Sequence, residues 1–419
     1  MTVTRRKFLK LCGQAALLLG LDALLPSRAA AADGTLPIKF LHRLVTAHAG
    51  TACTLTWQSD EPLACLIEYR KAAVSTAQTQ QASMTSLCED QQASYFYAVT
   101  LEHLVPDTDY ECRITAGNKA APWRRFRTAR ENAAQVKALI FCDAQCGTSY
   151  DTWKRTLHAG WSRHPDADFF AIGGDLTDNG QSDWHWNSFF AAMENIPALR
   201  PLAPVMGNHE CYGLDWKFCL PRRYLSVFSL PDNQSKRLQG YYYAYDYGPV
   251  HFIVLNTQML ELKEKIPDLA DEQLRWLRQD VQNHSQPWKV VIMHKDILAY
   301  GEYQAGTGQS EGISDVGRIF METFDALGID LVLTGHIHTY RSRGHIQKFQ
   351  PADKGPFYIM SGPAGDQTYT VPSDSRFDRT AIRQPTPENY LVLQASAEKL
   401  AVTGYTAEGE LIETTTLTK

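Results

Sequence analysis

The sequence of 419 residues has no excess of basic side chains, because 41 Lys and Arg face 46 Asp and Glu and give a formal net charge of -5. Proteins that bind polymeric nucleic acid rely on Lys and Arg contacts to phosphate groups. DNA or RNA is therefore excluded as the main partner. The chain also lacks internal repeats and low-complexity linkers. With 44% hydrophobic residues, it is long enough for two or three domains that each bury a core.

The N-terminal apolar stretch, Leu11 to Leu25, is too short to span a bilayer and is interrupted by Gln14 and Asp22. It follows the segment TRRKFLK (residues 4–10) and precedes small residues that suit cleavage. This order is similar to a bacterial twin-arginine export signal. We therefore expect residues 1–32 to be a signal peptide, the twin-arginine export machinery to be a partner, and the mature protein to be periplasmic or secreted.

A zinc-knuckle spacing is absent, since none of the nine cysteines forms a CxxC pair. Eight cysteines remain once Cys12 leaves with the signal, an even number in a compartment in which disulfides persist. The spacing allows bridges without requiring them. Cys211 and Cys219 can close a small loop, and Cys53 and Cys112 can meet between facing strands.

Residues 37–130 alternate with the period of β-strands. Five segments carry the pattern: CTLTWQS (53–59), CLIEYR (65–70), YFYAVTLEHL (95–104), YECRITAG (110–117) and RRFRT (124–128). Several short strands at this spacing indicate a β-sandwich. The inward Trp57, the segment LVPDTDY ending in Tyr110 and the final FRT resemble a fibronectin type III module. We find no convergent polar cluster in this part of the sequence and interpret it as a packing platform.

From residue 136 the pattern changes to apolar runs that alternate with helical segments, which favours an α/β arrangement. The runs are VKALIFC (136–142), DFFAIGG (168–174), LAPVMG (202–207), KVVIM (289–293) and IDLVLTG (329–335). Helical spacing marks residues 149–161, 271–284 and 315–327, and an acidic cap at Asp271 is expected to open the second of these helices. After residue 356 the strand pattern returns as a terminal meander.

Each apolar run ends in a side chain that can bind a metal ion. The motifs are DAQ (143–145), GDLTD (174–178), GNHE (207–210), VIMH (291–294) and GHIH (335–338). Side chains at the carboxyl ends of neighbouring strands in an open α/β sheet converge on one crevice. One such motif alone is most often an ordinary turn, but five in this order predict a shared metal site.

With these motifs the chain resembles the calcineurin-like metallophosphoesterases over residues 136 to about 370. The segments YYYAYDYGPVHFIVLNTQ (241–258) and GHIHTYRSR (335–343) are similar more specifically to purple acid phosphatases, in which a fibronectin-like module precedes the catalytic domain. The resemblance implies a catalytic domain over residues 136–419, a β-sandwich flanked by helices (α/β/β/α). An all-β, fibronectin type III-like sandwich over residues 37–130 is expected to precede it.

The resemblance also implies a set of ligands for two metal ions. The ligands are Asp143, Asp175 and His338 for the first ion and Asp175, Asn208, His294 and His336 for the second. Asp175 bridges the two. Such a pair offsets the charge of a phosphate ester, makes a metal-bound hydroxide near neutral pH and clamps the attacking and leaving oxygens. Carboxylates and imidazoles suit ions of this kind.

His209, inside the GNHE motif, is not a ligand in the family pattern. It faces the substrate, where it stabilises the transition state or protonates the leaving oxygen. The alternative is that it packs behind the ligands. We expect the neighbouring Glu210 to orient a ligand. Trp184 and Trp186 can wall the pocket, although helix packing is the simpler interpretation.

Two positions depart from the purple acid phosphatase pattern, which usually reads DxG at the first motif and ends the second in a tyrosine. The phenolate of that tyrosine binds ferric iron and gives the colour. Here Gln145 and Asp178 stand at these positions. Other branches place a histidine ligand at the first position, so the Gln145 carbonyl oxygen is a candidate to replace it, directly or through water. Asp178 is a ligand, an acceptor behind the ligands or a turn residue, and we favour the second.

Two functions follow as hypotheses. The first is a phosphoesterase that hydrolyses small phosphorylated substrates with two ions of manganese, zinc or iron. The second is a catalytically weak cell-surface binding protein whose metal centre is structural. A purely structural centre has no use for a histidine that faces the substrate, so His209 favours the enzyme.

Overall fold

A computed structural model describes residues 36–194, 196, 199–299, 312–369, 377–382 and 384–419. The predicted export signal, residues 1–32, lies outside the described residues. Within the described ranges, no helix is both long and apolar enough to cross a membrane.

Nine strands form the N-terminal part of the described chain. They are β1 Ile38–Leu44, β2 Cys53–Ser59, β3 Cys65–Lys71, β4 Gln78–Gln81, β5 Ser83–Glu89, β6 Gln92–Leu101, β7 Asp109–Ala116, β8 Lys119–Ala120 and β9 Arg124–Arg127. β1, β2, β6 and β5 lie side by side in one sheet, and β4, β3, β7 and β8 form another, with β9 paired to β7. Leu55, Trp57 and Ile67 lie in the core of this part, together with Ile114. This confirms the prediction of an all-β N-terminal domain.

The rest of the described chain contains sixteen strands and six α-helices. The strands are β10 Gln135–Phe141, β11 Phe169–Ile172, β12 Pro201–Pro204, β13 Tyr243–Tyr247, β14 Val250–Leu255, β15 Trp288–Met293, β16 Leu298–Ala299, β17 Gly312–Ile313, β18 Leu331–Thr334, β19 Arg341–Gln347, β20 Gln350–Ala352, β21 Phe357–Met360, β22 Thr380–Ala381, β23 Asn389–Ser396, β24 Lys399–Thr406 and β25 Leu411–Thr418. The helices are α1 Asp151–Arg163, α2 Asp183–Ala192, α3 Arg222–Val227, α4 Met259–Leu262, α5 Leu269–Asn283 and α6 Asp315–Leu327. A short 3-10 turn spans His209–Cys211.

Two sheets of this part share a central core. The first contains β25, β24, β23, β10, β11 and β12 in that order, and the second contains β13, β14, β15, β18, β21, β19 and β20. β10, β11 and β12 are parallel, as are β14, β15, β18 and β21. Along β15, Val290 and Ile292 lie in the core that includes Ile140 of β10, whereas Val291 and Met293 lie in a second core. This alternation is the two-residue period of a strand that is covered on both faces.

Helices cover the outer faces of the two sheets. Trp153 of α1 packs edge-on against Phe141 at the end of β10. Leu277 of α5 and Phe320 of α6 belong to the second core, together with Val291 of β15. The layers therefore run helix, sheet, sheet, helix, which confirms the predicted α/β/β/α fold class.

One helix start differs from the prediction. α5 begins at Leu269, two residues before Asp271, so the expected cap at Asp271 is wrong. Asp268 occupies the cap position without a side-chain hydrogen bond to the helix, and Asp271 lies in the first turn. A carboxylate in the first turn still interacts favourably with the positive end of the helix dipole, so Asp271 marks the start of the helix although it lies three residues after the cap position.

The first sheet continues into the N-terminal part. β1 pairs in parallel with β12 through Arg43 opposite Pro201 and Leu44 opposite Leu202. Among the described cysteines, all eight are free thiols, so neither of the two bridges that the spacing allows is formed.

Candidate metal centre

The candidate ligands lie just beyond the carboxyl ends of strands from both sheets. Asp143 follows β10, Asp175 follows β11, Asn208 follows β12, His294 follows β15, and His336 and His338 follow β18. β10, β11 and β12 belong to the first sheet, and β15 and β18 to the second. The facing strand ends therefore bring together side chains that are far apart in the sequence, as expected for a ligand crevice in an α/β protein.

The backbone of four of these residues is in the left-handed region, with φ of 57° at Asp143, 49° at Asp175, 77° at His336 and 51° at His338. Non-glycine residues seldom adopt this conformation, and it concentrates at functional sites. A glycine makes room for one of them, since a Cβ at Gly362 would collide with Oδ2 of Asp143. The loops are thus shaped to direct these side chains inward.

One group of ligand atoms is centred on His294. Its Nε2 lies 3.1 Å from Oδ2 of Asp175, 3.0 Å from Oδ1 of Asn208 and 3.2 Å from Nδ1 of His336. The Asp175, His294 and His336 atoms lie within 4.8 Å of one another and form a candidate metal-binding group. Two imidazole nitrogens, a carboxylate oxygen and an amide oxygen that converge in this way suit a transition-metal ion.

A second group shares Asp175 with the first and adds Asp143 and His338. Nε2 of His338 lies 3.8 Å from Oδ1 of Asp143. Both Nε2 of His338 and Oδ2 of Asp143 are buried, and neither has a hydrogen-bond partner within the described parts of the chain. Buried polar atoms without a partner are rare and costly, so this pair of atoms fits a bound cation.

Backbone carbonyls fix the orientation of two histidines. Nδ1 of His294 lies 2.9 Å from the carbonyl oxygen of Gly173, and Nδ1 of His338 lies 2.6 Å from that of Gln367. A carbonyl oxygen only accepts, so Nδ1 carries the proton in both rings and Nε2 is free to bind a metal. The sequence gives no signal for Gly173 and Gln367 in this role, because every residue has a backbone carbonyl.

The charges of the site depend on one another. Burial raises the pKa of Asp143 to about 8 and lowers the pKa of His338 to about 4. Burial opposes the charge of His294, but without a metal ion the carboxylate of Asp175 raises the pKa of this imidazole to about 9, and a cation bound at Nε2 would replace that proton. Burial alone would raise the pKa of Asp175, but His294 and His209 hold it below its usual range. Positive charge is therefore needed to keep both carboxylates ionised in this buried site, and metal cations supply it.

His209 lies at the rim, with 13% of its side chain exposed. Its Nδ1 donates to the main-chain oxygen of Asp178 over 2.6 Å, and its Nε2 lies 3.3 Å from Nε2 of Gln145 and 4.0 Å from Oδ2 of Asp175. Asp178 thus contacts His209 and lies outside both candidate metal-binding groups. Oε1 of Gln145 is buried without a hydrogen-bond partner among the described residues.

Glu210 connects two of the ligand loops. Its buried carboxylate accepts hydrogen bonds from the backbone N–H groups of Asp175, Leu176, Thr177 and Gly207, at 2.7 to 3.2 Å. Burial, followed by the charge of Asp175, raises its pKa to about 7. The side chain holds the loop of Asp175 against the GNHE segment, which is a positioning contact of the kind expected for it.

Two family models match the chain. The calcineurin-like phosphoesterase model covers residues 136–340, and the purple acid phosphatase N-terminal domain model covers residues 40–128. Both matches agree with the order of the α/β part and the all-β part in the structure.

Among similar proteins, purple acid phosphatase 15 of Arabidopsis thaliana is 29% identical over 191 residues, which cover 45% of this chain and 33% of that protein. Acid phosphatase type 7 of Mus musculus is 24% identical over 330 residues, which cover 70% of this chain and 67% of that protein. The chain spans only 33 to 45% of the length of three Arabidopsis relatives.

Two solved structures have a similar fold. Purple acid phosphatase PPD1 from yellow lupin (Lupinus luteus) seeds gives a TM-score of 0.75 at 17% identity and covers 91% of this chain and 74% of that chain. The structure of PhoD gives a TM-score of 0.65 at 13% identity and covers 92% of this chain and 94% of that chain. At these identities the likeness concerns the fold. The comparisons therefore show that the chain is similar to the calcineurin-like phosphoesterases over residues 136–340 and that its relatives include purple acid phosphatases.

Proposed function

We propose that this protein hydrolyses small phosphate esters at the crevice between the two sheets. The observation that carries the proposal is the pair of candidate metal-binding groups that share Asp175, with His209 at their rim. The family match and the phosphatase names of the relatives support it.

Six side chains would hold the two cations. Asp143, Asp175 and His338 would bind the first, and Asp175, Asn208, His294 and His336 would bind the second. When bound, the cations would offset the negative charge of a phosphate ester and lower the pKa of a water molecule so that it can attack phosphorus. The oxygen and nitrogen donors suit divalent manganese, zinc or iron. Oε1 of Gln145 is a further donor for the first cation, directly or through water.

His209 is the proposed proton donor. Its Nδ1 is held by the carbonyl of Asp178, so the ring is oriented and Nε2 faces the crevice. When the ring also carries a proton at Nε2, it can protonate the leaving oxygen as the bond to phosphorus breaks. Asp178 thus positions His209, and Glu210 positions the loop of Asp175.

Two substitutions test the proposal. We expect Asp175→Ala to lose bound metal and to abolish hydrolysis of aryl phosphate and bis-aryl phosphate, because it removes the shared ligand. We expect His209→Ala to keep its metal and to lose about 100-fold or more in rate on esters with poor leaving groups, but less on good ones. Metal analysis and steady-state rates measure both effects.

Asp353→Ala provides the control, since Asp353 is an exposed aspartate that belongs to none of the five motifs. It should leave metal content and rate at the wild-type level. Full activity in Asp175→Ala would overturn the proposed centre, and equal losses by His209→Ala on good and poor leaving groups would overturn the role of His209.

We also propose that the protein is exported to the periplasm or beyond by the twin-arginine machinery. The support is the segment TRRKFLK followed by a short apolar stretch. Replacing Arg5 and Arg6 together by Lys keeps the charge and should leave the precursor in the cytoplasm, measured by cell fractionation. Lys10→Arg is the control, and we expect this variant to be exported normally. Normal delivery of the Arg5 and Arg6 variant would count against this route.

A further inference from the structure

Large aromatic side chains are exposed around the candidate metal centre. Within the described ranges, four large aromatic side chains are well exposed: Trp184, Trp216, Phe218 and Tyr369. Trp216 is the most open of these, with 56% of its surface exposed. Single exposed apolar residues are ordinary, whereas a group of them around one site indicates a binding surface.

Ring contacts connect these side chains to the proposed site. The Trp216 ring lies 6.2 Å from the His209 ring and 6.0 Å from the Tyr212 ring, and the Phe218 ring lies 5.6 Å from the Tyr212 ring. At the second group of ligands, the Tyr369 ring lies 4.3 Å from that of His338. Exposed rings therefore contact both the proposed proton donor and a proposed ligand.

Trp184 is connected to the same candidate site through Tyr150. Its ring packs edge-on against Tyr150, whose hydroxyl accepts a hydrogen bond from the backbone N–H of Asp178. Trp186 is buried and packs against Phe190, so helix packing explains Trp186 only. Packing does not explain Trp184, which leaves 47% of its surface exposed.

The loop that carries Trp216 is held in a defined shape. Tyr212 pairs with Phe218 as an antiparallel bridge, the Gly213 N–H donates to the Lys217 carbonyl (2.9 Å), and the Trp216 N–H donates to the Gly213 carbonyl (2.8 Å). The Trp216 backbone is in the left-handed region, with φ of 59°. The side-chain amide of Asn179 donates to the Gly213 carbonyl over 2.8 Å and joins the loop to the segment after Asp178. Such a loop holds an indole ring next to His209 without help from a ligand.

We propose that this loop, residues 212–218, forms a subsite for an aromatic leaving group, with Trp216 as its principal contact. The inference rests on the proposed phosphoesterase function. With the phosphate held at the metal centre, the organic part of the ester has to leave past His209, where the indole ring is available for stacking. Water attacks phosphorus, the bond from phosphorus to the ester oxygen breaks, and the proton from His209 passes to that oxygen. The products are phosphate and an alcohol or phenol that carries the aromatic ring.

Two esters of matched size separate ring stacking from leaving-group chemistry. Benzyl phosphate and cyclohexylmethyl phosphate both release a primary alcohol, but only the first carries a flat aromatic ring. We expect the metal-loaded wild-type protein to prefer benzyl phosphate in kcat/KM. Trp216→Ala should lower the ratio of the two kcat/KM values roughly three- to tenfold, the range expected for the loss of one aromatic contact. Trp216→Phe should keep most of the preference, because it retains a ring.

Binding is measured separately from turnover with benzylphosphonate and cyclohexylmethylphosphonate, which cannot be hydrolysed. Calorimetric Kd values of the same proteins should show the same change in ratio. Leu411→Ala, which truncates an exposed side chain on β25, is the control for loss of a surface apolar group and should leave the ratio unchanged.

The outcomes distinguish the two proposals. Hydrolysis of both esters with a ratio that Trp216→Ala does not change would overturn the aromatic subsite and leave the phosphoesterase standing. If the metal-loaded wild-type protein hydrolyses neither ester, the proposed function is overturned and this inference with it. A lowered ratio in both turnover and binding supports the subsite.

Discussion

The carboxylate of Glu210 accepts hydrogen bonds from four backbone N–H groups and so fixes the positions of the residues that carry them. Oε1 accepts from Leu176 and Thr177, and Oε2 accepts from Asp175 and Gly207. Only a group with two acceptor oxygens and no donor can satisfy all of these N–H groups. Removing it would release the loop of Asp175 from the loop of Asn208.

We expect Glu210→Gln to destabilise the protein by about 2 to 4 kcal/mol, because the amide nitrogen turns a donor toward backbone donors and leaves them unsatisfied. Metal affinity should fall roughly 10- to 100-fold, as for other contacts that orient ligands. Chemical denaturation and metal titration measure the two effects. Glu408→Gln, at an exposed glutamate, is the matched control. Wild-type stability and metal affinity in Glu210→Gln would contradict this role.

The residues whose side chains are proposed to perform the chemistry are the ones that the sequence marks. The Asp, Asn and His residues proposed as ligands stand out because few side chains bind metals and because each of them follows an apolar run. Gly173 and Gln367 act through backbone carbonyls, which all residues share, and only the folded chain brings them to His294 and His338. Trp216 was also missed, since an aromatic residue in a loop has no spacing that separates exposure from burial.

At the scale of elements, a buried histidine joins the β13–β14 hairpin to α5. His251 on β14 places Nδ1 2.7 Å from Asp246 of β13 and Nε2 2.7 Å from Asp280 of α5. His284 stacks on the His251 ring at 4.0 Å, and the side-chain amide of Gln286 donates to Asp246 over 2.6 Å. Asp246, His251 and His284 have the spacing of a metal-binding group. Both nitrogens of His251 are already hydrogen-bonded to carboxylates, so an ion-paired imidazolium explains the cluster better.

This network predicts a stability that depends on pH. Burial opposes the charge, but the hydrogen bonds that His251 donates to Asp246 and Asp280 raise its pKa above its usual value. Its contribution is therefore complete below the unfolded pKa of about 6.5 and is lost as the pH rises through the higher folded pKa. We expect the difference in unfolding free energy between wild type and His251→Gln to be about 2 to 4 kcal/mol near pH 6 and to shrink as the pH rises.

Denaturant unfolding of both proteins over a series of pH values measures this difference, and the contributions of the metal centre cancel because both proteins retain it. His103→Gln, at an exposed histidine, serves as the control and should follow the wild type. A difference in unfolding free energy between wild type and His251→Gln that stays constant with pH would mean that His251 is neutral in the folded protein.

Helix ends show why some boundaries were predictable and others were not. The segment 315–327 coincides with α6, because Ser314 caps its start through the Gly317 N–H and Gly328 ends it in the left-handed region. These are local signals that the sequence displays. α5 carries several acidic residues near its start, so the sequence does not single out the first residue of the helix, which is the buried Leu269.

At the scale of the whole molecule, the pairing of β1 with β12 makes one continuous sheet from the N-terminal part and the α/β part. The layers of each part could be predicted, because periodicity reports which faces of an element are buried. The pairing of β1 with β12 could not, since two residue pairs far apart in sequence leave no local pattern. The convergence of loops from both sheets on Asp175 is likewise a property of the assembled fold.

The metal content of the whole protein is the remaining prediction, and the residue at the second motif decides it. In the purple enzymes a tyrosine phenolate stabilises a ferric ion, and the resemblance to these enzymes implies that Asp178 occupies the position of that tyrosine here. Tyr340, next to the GHIH motif, donates to Glu413 of β25 instead. Tyr212 contacts Asn208, and burial raises the pKa of its phenol, which disfavours a phenolate. The purified protein should therefore hold two divalent ions and be colourless.

A visible spectrum and elemental analysis of the same fresh sample measure colour and metal together. Removing the ions with a chelator should also lower the unfolding temperature, because the buried carboxylates of Asp143 and Asp175 lose the positive charge that faces them. Adding back manganese, zinc or ferrous iron should restore it. An intense visible band with stoichiometric iron would contradict this prediction, since it requires a phenolate bound to ferric iron. In that case a variant series at Tyr212 and Tyr369, the tyrosines in contact with Asn208 and with the His338 ring, would identify the ligand.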